Sequence, residues 1–274
     1  MSEAREMAGA GATPNRPPDF AADLHFLWRD RSNWLGDPDF VRTFVDHAVE
    51  AGELLLASDA AHSALENGMG GDIRLVQQMA LALAQMGSTA RAQKILQEAL
   101  QKDPANRDTL CGLGRTYKDI WCARPDDANA LARAFYFYNT AFEVEPREYY
   151  PGINAAAVAV LRGDMETGRR LAAEVLKLCE RLPAKERDRY WVRASVAEAL
   201  AILGRQGEAE EAYQYTGSTP GAQLRELSST RKQARLLARP LNGPAESLEP
   251  GAPLPSAAHV TDCSATPAAF VVHL

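Results

Sequence analysis

The chain has little of what metal sites, disulfide frameworks and membrane spans are built from. Its four cysteines, Cys111, Cys122, Cys179 and Cys263, form no CxxC pair, and no histidine stands at zinc-finger spacing from them. A thiolate metal site and a disulfide-stapled scaffold are therefore not expected, and a reducing compartment fits best. No apolar run approaches the roughly 18 residues that a membrane helix needs. The opening MSEAREMAGAGATPN lacks the charged start and apolar stretch of a signal peptide, so the expectation is a cytoplasmic protein away from membranes. A formal charge of -6 and a pI near 5.5 argue against nucleic acid, because Lys and Arg on phosphates supply most of that affinity. Catalytic groups are equally sparse. The five histidines are isolated, and the pairs Asp126-Asp127 and Glu210-Glu211 are adjacent in sequence and point apart. Gly68-Met-Gly-Gly-Asp72 lacks the GK[ST] of a phosphate loop and follows a helix, not a strand. The chain reads as a non-enzyme with no cofactor.

What the sequence has in quantity is helical periodicity. A hydrophobic content of 46% can bury a sizeable core, and no stretch alternates with the period of two that strands require. Residues 1–18 are rich in Gly, Ala and Pro. Prolines at 240, 244, 250, 253, 255 and 267 block helices at the other end, so 1–18 and 239–274 are expected to be disordered tails around a helical body, 19–238. Within Ile73 to Asn106, Val76, Met79, Ala80 and Leu83 face one way on a first helix. Gly87 marks a turn, Ala92, Leu96 and Ala99 define a second helix, and Pro104 an exit. That is the 34-residue register of a tetratricopeptide repeat (TPR).

With the turn glycine as a ruler, further hairpins fall around Gly52, Gly163 and Gly204, and Leu110, Leu113, Gly114 and Tyr117 open another after Asn106. The fold class is all-α, a TPR-like solenoid of about five hairpins. A last helix, roughly 221–238, is expected to cap the preceding hairpin, and residues 19–36, with Phe20, Phe26, Trp28 and Trp34, are either an N-terminal cap or a docking segment. Ala134, Tyr138, Ala141 and Pro146 come about eight positions late for the repeat, which predicts an insertion loop at Cys122-Ala-Arg-Pro-Asp-Asp.

In such arrays the first helices line a concave groove. The ruler places Arg74, Gln78, Asp108, Arg115, Lys118, Asp119, Asn154 and Trp191 there as partner-binding candidates, with Arg115, Lys118, Asp119 and Asn154 forming a polar cluster. Ala194 and Glu198 fall on the same groove face after Trp191. The polar cluster also suits a solvated helix face with ordinary charge pairs. A clamp for a C-terminal carboxylate is not expected, because its Lys and Asn positions hold Gln77 with Leu81 and Cys111 with Arg115. The final helix carries the local basic cluster Arg225, Arg231, Lys232, Arg235 and Arg239.

Four runs occur in one order: Gly112-Leu-Gly-Arg-Thr-Tyr-Lys-Asp-Ile, Tyr138-Asn-Thr-Ala-Phe-Glu-Val-Glu-Pro, Glu148-Tyr-Tyr-Pro-Gly-Ile-Asn-Ala-Ala and Arg189-Tyr-Trp. Over roughly 38–213 they resemble the TRAF-binding, central regulatory region of the apoptosis signal-regulating kinases and its bacterial relatives. The resemblance implies a helical scaffold that positions signalling partners, and it marks Arg115, Tyr117, Lys118, Asp119, Tyr149, Gly152, Asn154 and Trp191 as motif positions. There is no kinase domain here. The expected function is therefore a non-catalytic adaptor for a protein or peptide partner in a signalling or stress-response complex. The alternative is a regulatory subunit that senses a small anionic or nucleotide ligand and controls a separate effector.

Overall fold

The computed structural model describes residues 20–241, and thirteen α-helices account for most of them. The expected tails, 1–18 and 239–274, lie outside the described residues except for 239–241, which continue the last helix. No helix among the described residues is long and apolar enough to cross a membrane. The chain divides into two compact units between Ile120 and Trp121.

The first unit opens with α1 (Phe20–Arg29), followed by the hairpins α2 (Pro38–Ala51) with α3 (Leu54–Ala64) and α4 (Ile73–Gln85) with α5 (Thr89–Lys102). Each start has a local cause. The Asp37 carboxylate accepts from the amides of Asp39 and Phe40 at 3.2 Å, with Pro38 preset for the first turn of α2. Asp72 caps α4 by accepting from the Leu75 amide at 3.1 Å. Its other oxygen holds Arg42 of α2 at 2.7 Å, so one carboxylate both starts a helix and ties it to the previous hairpin. Among the two readings of residues 19–36, packing matches the cap. Trp34 is buried with its ring 4.7 Å from Phe44 and 4.9 Å from Phe40, and its indole N–H donates to the Leu27 carbonyl at 3.0 Å.

The boundary between the units falls inside α6 (Arg107–Ala123). After it come α7 (Ala128–Val144), α8 (Tyr149–Leu161) with α9 (Met165–Arg181), the short α10 (Ala184–Arg187), α11 (Tyr190–Ile202) with α12 (Gln206–Gly217), and α13 (Leu224–Leu241). The ruler holds at four hairpin turns: Gly52, Gly87, Gly163 and Gly204 have φ of 82°, 85°, 84° and 78°, a left-handed conformation that any Cβ would strain. Between α6 and α7 the expected insertion loop does not form. Both helices lengthen to 17 residues instead, and the link is only 124–127. Trp121 stands where a 34-residue period would put the turn glycine, so α6 runs on until Pro125 disfavours helix at Arg124.

In the first unit the first helices α2 and α4 pack side by side, and in the second unit α8 and α11 do the same. The last helix packs on the preceding hairpin, as expected, and in addition on α8. It runs from Leu224 to Leu241, and its main neighbours are α8 and α11, so it lies on the first-helix wall of the second unit. This placement explains the composition of α8, where every residue from Pro151 to Val160 is buried. With α7, α9, α11 and α13 all around it, α8 has no face left for water.

Candidate functional site

The candidate surface is the wall of first helices. In the first unit Asp46 of α2 accepts from the Arg74 guanidinium and, at 2.9 Å, from the Gln78 amide, so two of the sequence candidates on α4 share one carboxylate. Burial raises the pKa of Asp46 above the ordinary carboxylate value, and the Arg74 charge opposes that rise. Behind them Gln77 donates to Asn106 at 2.8 Å and to Thr109 at 3.0 Å, while Asn106 also accepts from the Thr109 amide at 3.0 Å. These bonds tie the start of α6 to α4.

Further along, Asp108 pairs with its neighbour Arg107 at 2.9 Å, and Arg115 pairs loosely with Asp119 one turn on, at 4.0 Å. Arg115, Lys118 and Asp119 are all part-exposed, whereas Cys111 on the same helix is buried. In the second unit Asn154 is 9% exposed and donates to the Tyr150 carbonyl at 3.0 Å. Trp191 is 41% exposed and meets Tyr190 edge-on with ring centroids 5.2 Å apart. Of the other expected wall positions, Ala194 is buried in a cluster with Leu227 and Ala234 of α13, and Glu198 accepts from Gln233 of α13 at 2.8 Å.

Tyr190 anchors that cover. Its hydroxyl donates to Thr230 at 2.8 Å, and burial pushes the phenol up to about 12. The neutral phenol is the form the fold holds, so its contribution is complete below the ordinary value of 10.0 and is lost as pH rises through about 12. Changing Tyr190→Phe is expected to cost about 1 kcal/mol at neutral pH, through the lost bond to Thr230. It should also move the alkaline unfolding midpoint upward and remove one late phenol from the ultraviolet titration. An unchanged alkaline midpoint would count against burial of that phenol.

Sequence reasoning missed Arg193. Its guanidinium lies 3.9 Å over the Tyr215 ring and donates to Tyr215 and Asp188 at 2.8 Å and to Thr219 at 3.1 Å. It stands beside a cavity of about 330 Å³ floored by Cys179, Val192, Val196 and Ala212. Burial pushes the Cys179 thiol there up to about 12, which makes it a packing group and not a nucleophile at neutral pH. No periodic signal marks Arg193, since its partner ring is 22 residues away. Among the described residues no three His, Cys, Asp or Glu converge as a metal site.

Residues 45–161 match the family described as Tetratricopeptide Repeats-Sensor. No curated protein matches the chain. Among solved structures, a thermophilic TPR protein of Thermus thermophilus superposes with a TM-score of 0.56 at 17% identity, covering 71% of this chain and 97% of its own. A tetratricopeptide repeat protein from Parabacteroides merdae gives 0.50 at 14% identity, covering 88% and 98%. With the hairpin geometry above, these likenesses establish the fold: the chain is built as a tetratricopeptide-repeat array.

Proposed function

We propose that the chain is a non-catalytic scaffold whose first-helix wall in the first unit takes a segment of a protein partner within a signalling or stress-response complex. The observation that supports this most is α13. In the second unit the same kind of wall already holds an amphipathic helix of the chain itself, through apolar contacts and the Tyr190–Thr230 and Gln233–Glu198 bonds. Such a wall therefore has the packing chemistry to hold a helix from another chain. The first unit offers Arg74, Gln78, Asp108, Arg115, Lys118 and Asp119, side chains whose present bonds a partner's polar groups can exchange with little net cost. In the second unit Trp191 is the exposed candidate, whereas Asn154, expected on the groove, is buried within α8 and bonded to the Tyr150 carbonyl.

Affinity capture quantifies the proposal. An Arg74→Ala, Arg115→Ala, Lys118→Ala protein should recover a partner held by the intact chain at least about tenfold less well, the equivalent of 1.4 kcal/mol. An Arg91→Glu, Lys94→Glu protein, altered on the exposed face of α5, should recover it fully. Equal recovery by all three proteins would remove the first-unit wall as the site. The sensor reading draws support from the description of the matched family. It places a small anionic or nucleotide ligand at Arg115 and Lys118, and calorimetry with nucleotides would favour it if heat appears with the intact chain and disappears with the triple variant.

A further inference from the structure

Helix α13 has two faces of opposite character. Leu227, Thr230, Ala234 and Leu237, at i, i+3, i+7 and i+10, are buried against the first-helix wall. Arg225, Ser228, Lys232, Arg235 and Arg239, at i, i+3, i+7, i+10 and i+14, are exposed on the other side. No acidic residue interrupts that row, and Arg225, Lys232, Arg235 and Arg239 make no ion pair among the described residues. The contrast with the remaining chain is sharp. Arg42, Arg74, Arg170 and Arg205 each face a carboxylate, and the protein as a whole carries a charge of -6.

The helix dipole does not account for the row. It favours a cation only in the last turn, which covers Arg239, and it disfavours Arg225 in the first. Nor is the row purely charged. Ser228, Arg231, Lys232, Arg235 and Leu236 line a cavity of about 310 Å³, and Leu224 is 72% exposed at the start of the same helix. Cations in a straight row, with Leu236 in the cavity between them and Leu224 exposed at its start, complement a helix that alternates carboxylates with apolar anchors. They suit nucleic acid poorly, because α13 contains no aromatic ring on which a base could stack.

We propose that the exposed face of α13 is a docking surface for an acidic amphipathic protein segment, whose carboxylates pair with Arg225, Lys232, Arg235 and Arg239 and whose apolar side chain enters the cavity at Leu236. Fourteen residues separate Arg225 from Arg239, so at 1.5 Å per residue the row is roughly 21 Å long, matching about four turns of a partner helix. The surface belongs wholly to the second unit and does not depend on the first-unit wall, so either proposal can fail without the other.

The test uses the full chain and fluorescence anisotropy with three probes. They are a Glu/Leu amphipathic peptide of about 15 residues, the length that spans the row, a polyglutamate peptide of equal length, and a single-stranded oligonucleotide. The Glu/Leu peptide should bind more tightly than polyglutamate, and its affinity should fall as salt rises. Lys232→Glu with Arg235→Glu should weaken it by about tenfold or more, and the charge-matched Arg91→Glu, Lys94→Glu protein should bind like the intact chain. If the double reversal loses helix by circular dichroism, Lys232→Gln with Arg235→Gln replaces it, with a smaller loss expected in the same direction. Equal loss in the α5 control, equal affinity for polyglutamate, tighter binding of the oligonucleotide, or no binding at low salt would each overturn the proposal.

Discussion

A Gly168→Leu protein is expected to lose the packing of its second unit. Gly168 sits where α9 crosses α8. A Cβ built there would lie 2.7 Å from Val160 Cγ2 and 3.2 Å from the Ala156 carbonyl oxygen. Neither neighbour gives way easily, since Val160 is β-branched and fully buried, and the oxygen is backbone. Even alanine should cost about 1–3 kcal/mol by overpacking. Leucine must part the two helices, at more than about 3 kcal/mol, a large share of the 5–15 kcal/mol that holds a typical domain. At about 2–4 °C per kcal/mol the melting transition should fall by roughly 6–12 °C. Gly207 supplies the control. Nothing lies within 4 Å of its Cβ direction and its φ is not positive, so Gly207→Ala should hold or raise stability. Melting of Gly168→Leu within about 2 °C of the parent would show that α8 and α9 are not so closely apposed.

The same crossing shows which features of this molecule are legible in its amino-acid sequence. The alanines of α8, with its own Gly152 and Gly168 of α9, mark close helix packing, and the four turn glycines set the hairpins correctly. Each of these is a local property, in which residues a few positions apart report on one turn or one face. One expectation fails and another falls short, for reasons that are not local. The late second helix after α6 has the spacing of a loop insertion, because spacing counts residues and does not say whether they are helical. With Trp121 in place of a turn glycine, the extra residues go into both helices. The last helix is amphipathic as its spacing predicts, but periodicity gives a helix an apolar face without saying what that face meets.

The wall candidates divide in the same way. The ruler finds Arg74 and Gln78 as side chains sharing a face. It does not find Asp46, which lies 28 and 32 residues before them and joins them only through the fold. Arg193, with an aromatic partner on another helix, escapes for the same reason. The surface of the second unit is the clearest case. Spacing presents Ala194 and Glu198 as open groove positions, and both are in contact with α13. A chain that covers part of its own wall cannot be recognised as doing so from the pattern of either partner alone.

That cover should come off with a single substitution. Leu237 is 1% exposed on the wall side of α13, and Leu237→Asp would place a carboxylate there without a partner. Burying it is expected to cost more than about 3 kcal/mol, whereas Leu237→Ala, which leaves a cavity and no charge, should cost about 2–4 kcal/mol. Detaching the helix avoids the charge burial altogether. The aspartate protein should therefore release α13 while α8 and α9 stay folded through their own crossing. Limited trypsin digestion reads this directly, because Arg225, Arg231, Lys232, Arg235 and Arg239 all lie on α13 and become cleavable only when the helix opens. Cleavage within α13 should accelerate strongly in Leu237→Asp and much less in Leu237→Ala, with the fragment ending near Arg225 keeping most of its helical signal. If the aspartate protein resists trypsin as the parent does, α13 is not held by this face. If the remaining fragment unfolds with it, α13 is an integral layer of the second unit, since α8 would then need a fourth neighbour to exclude water.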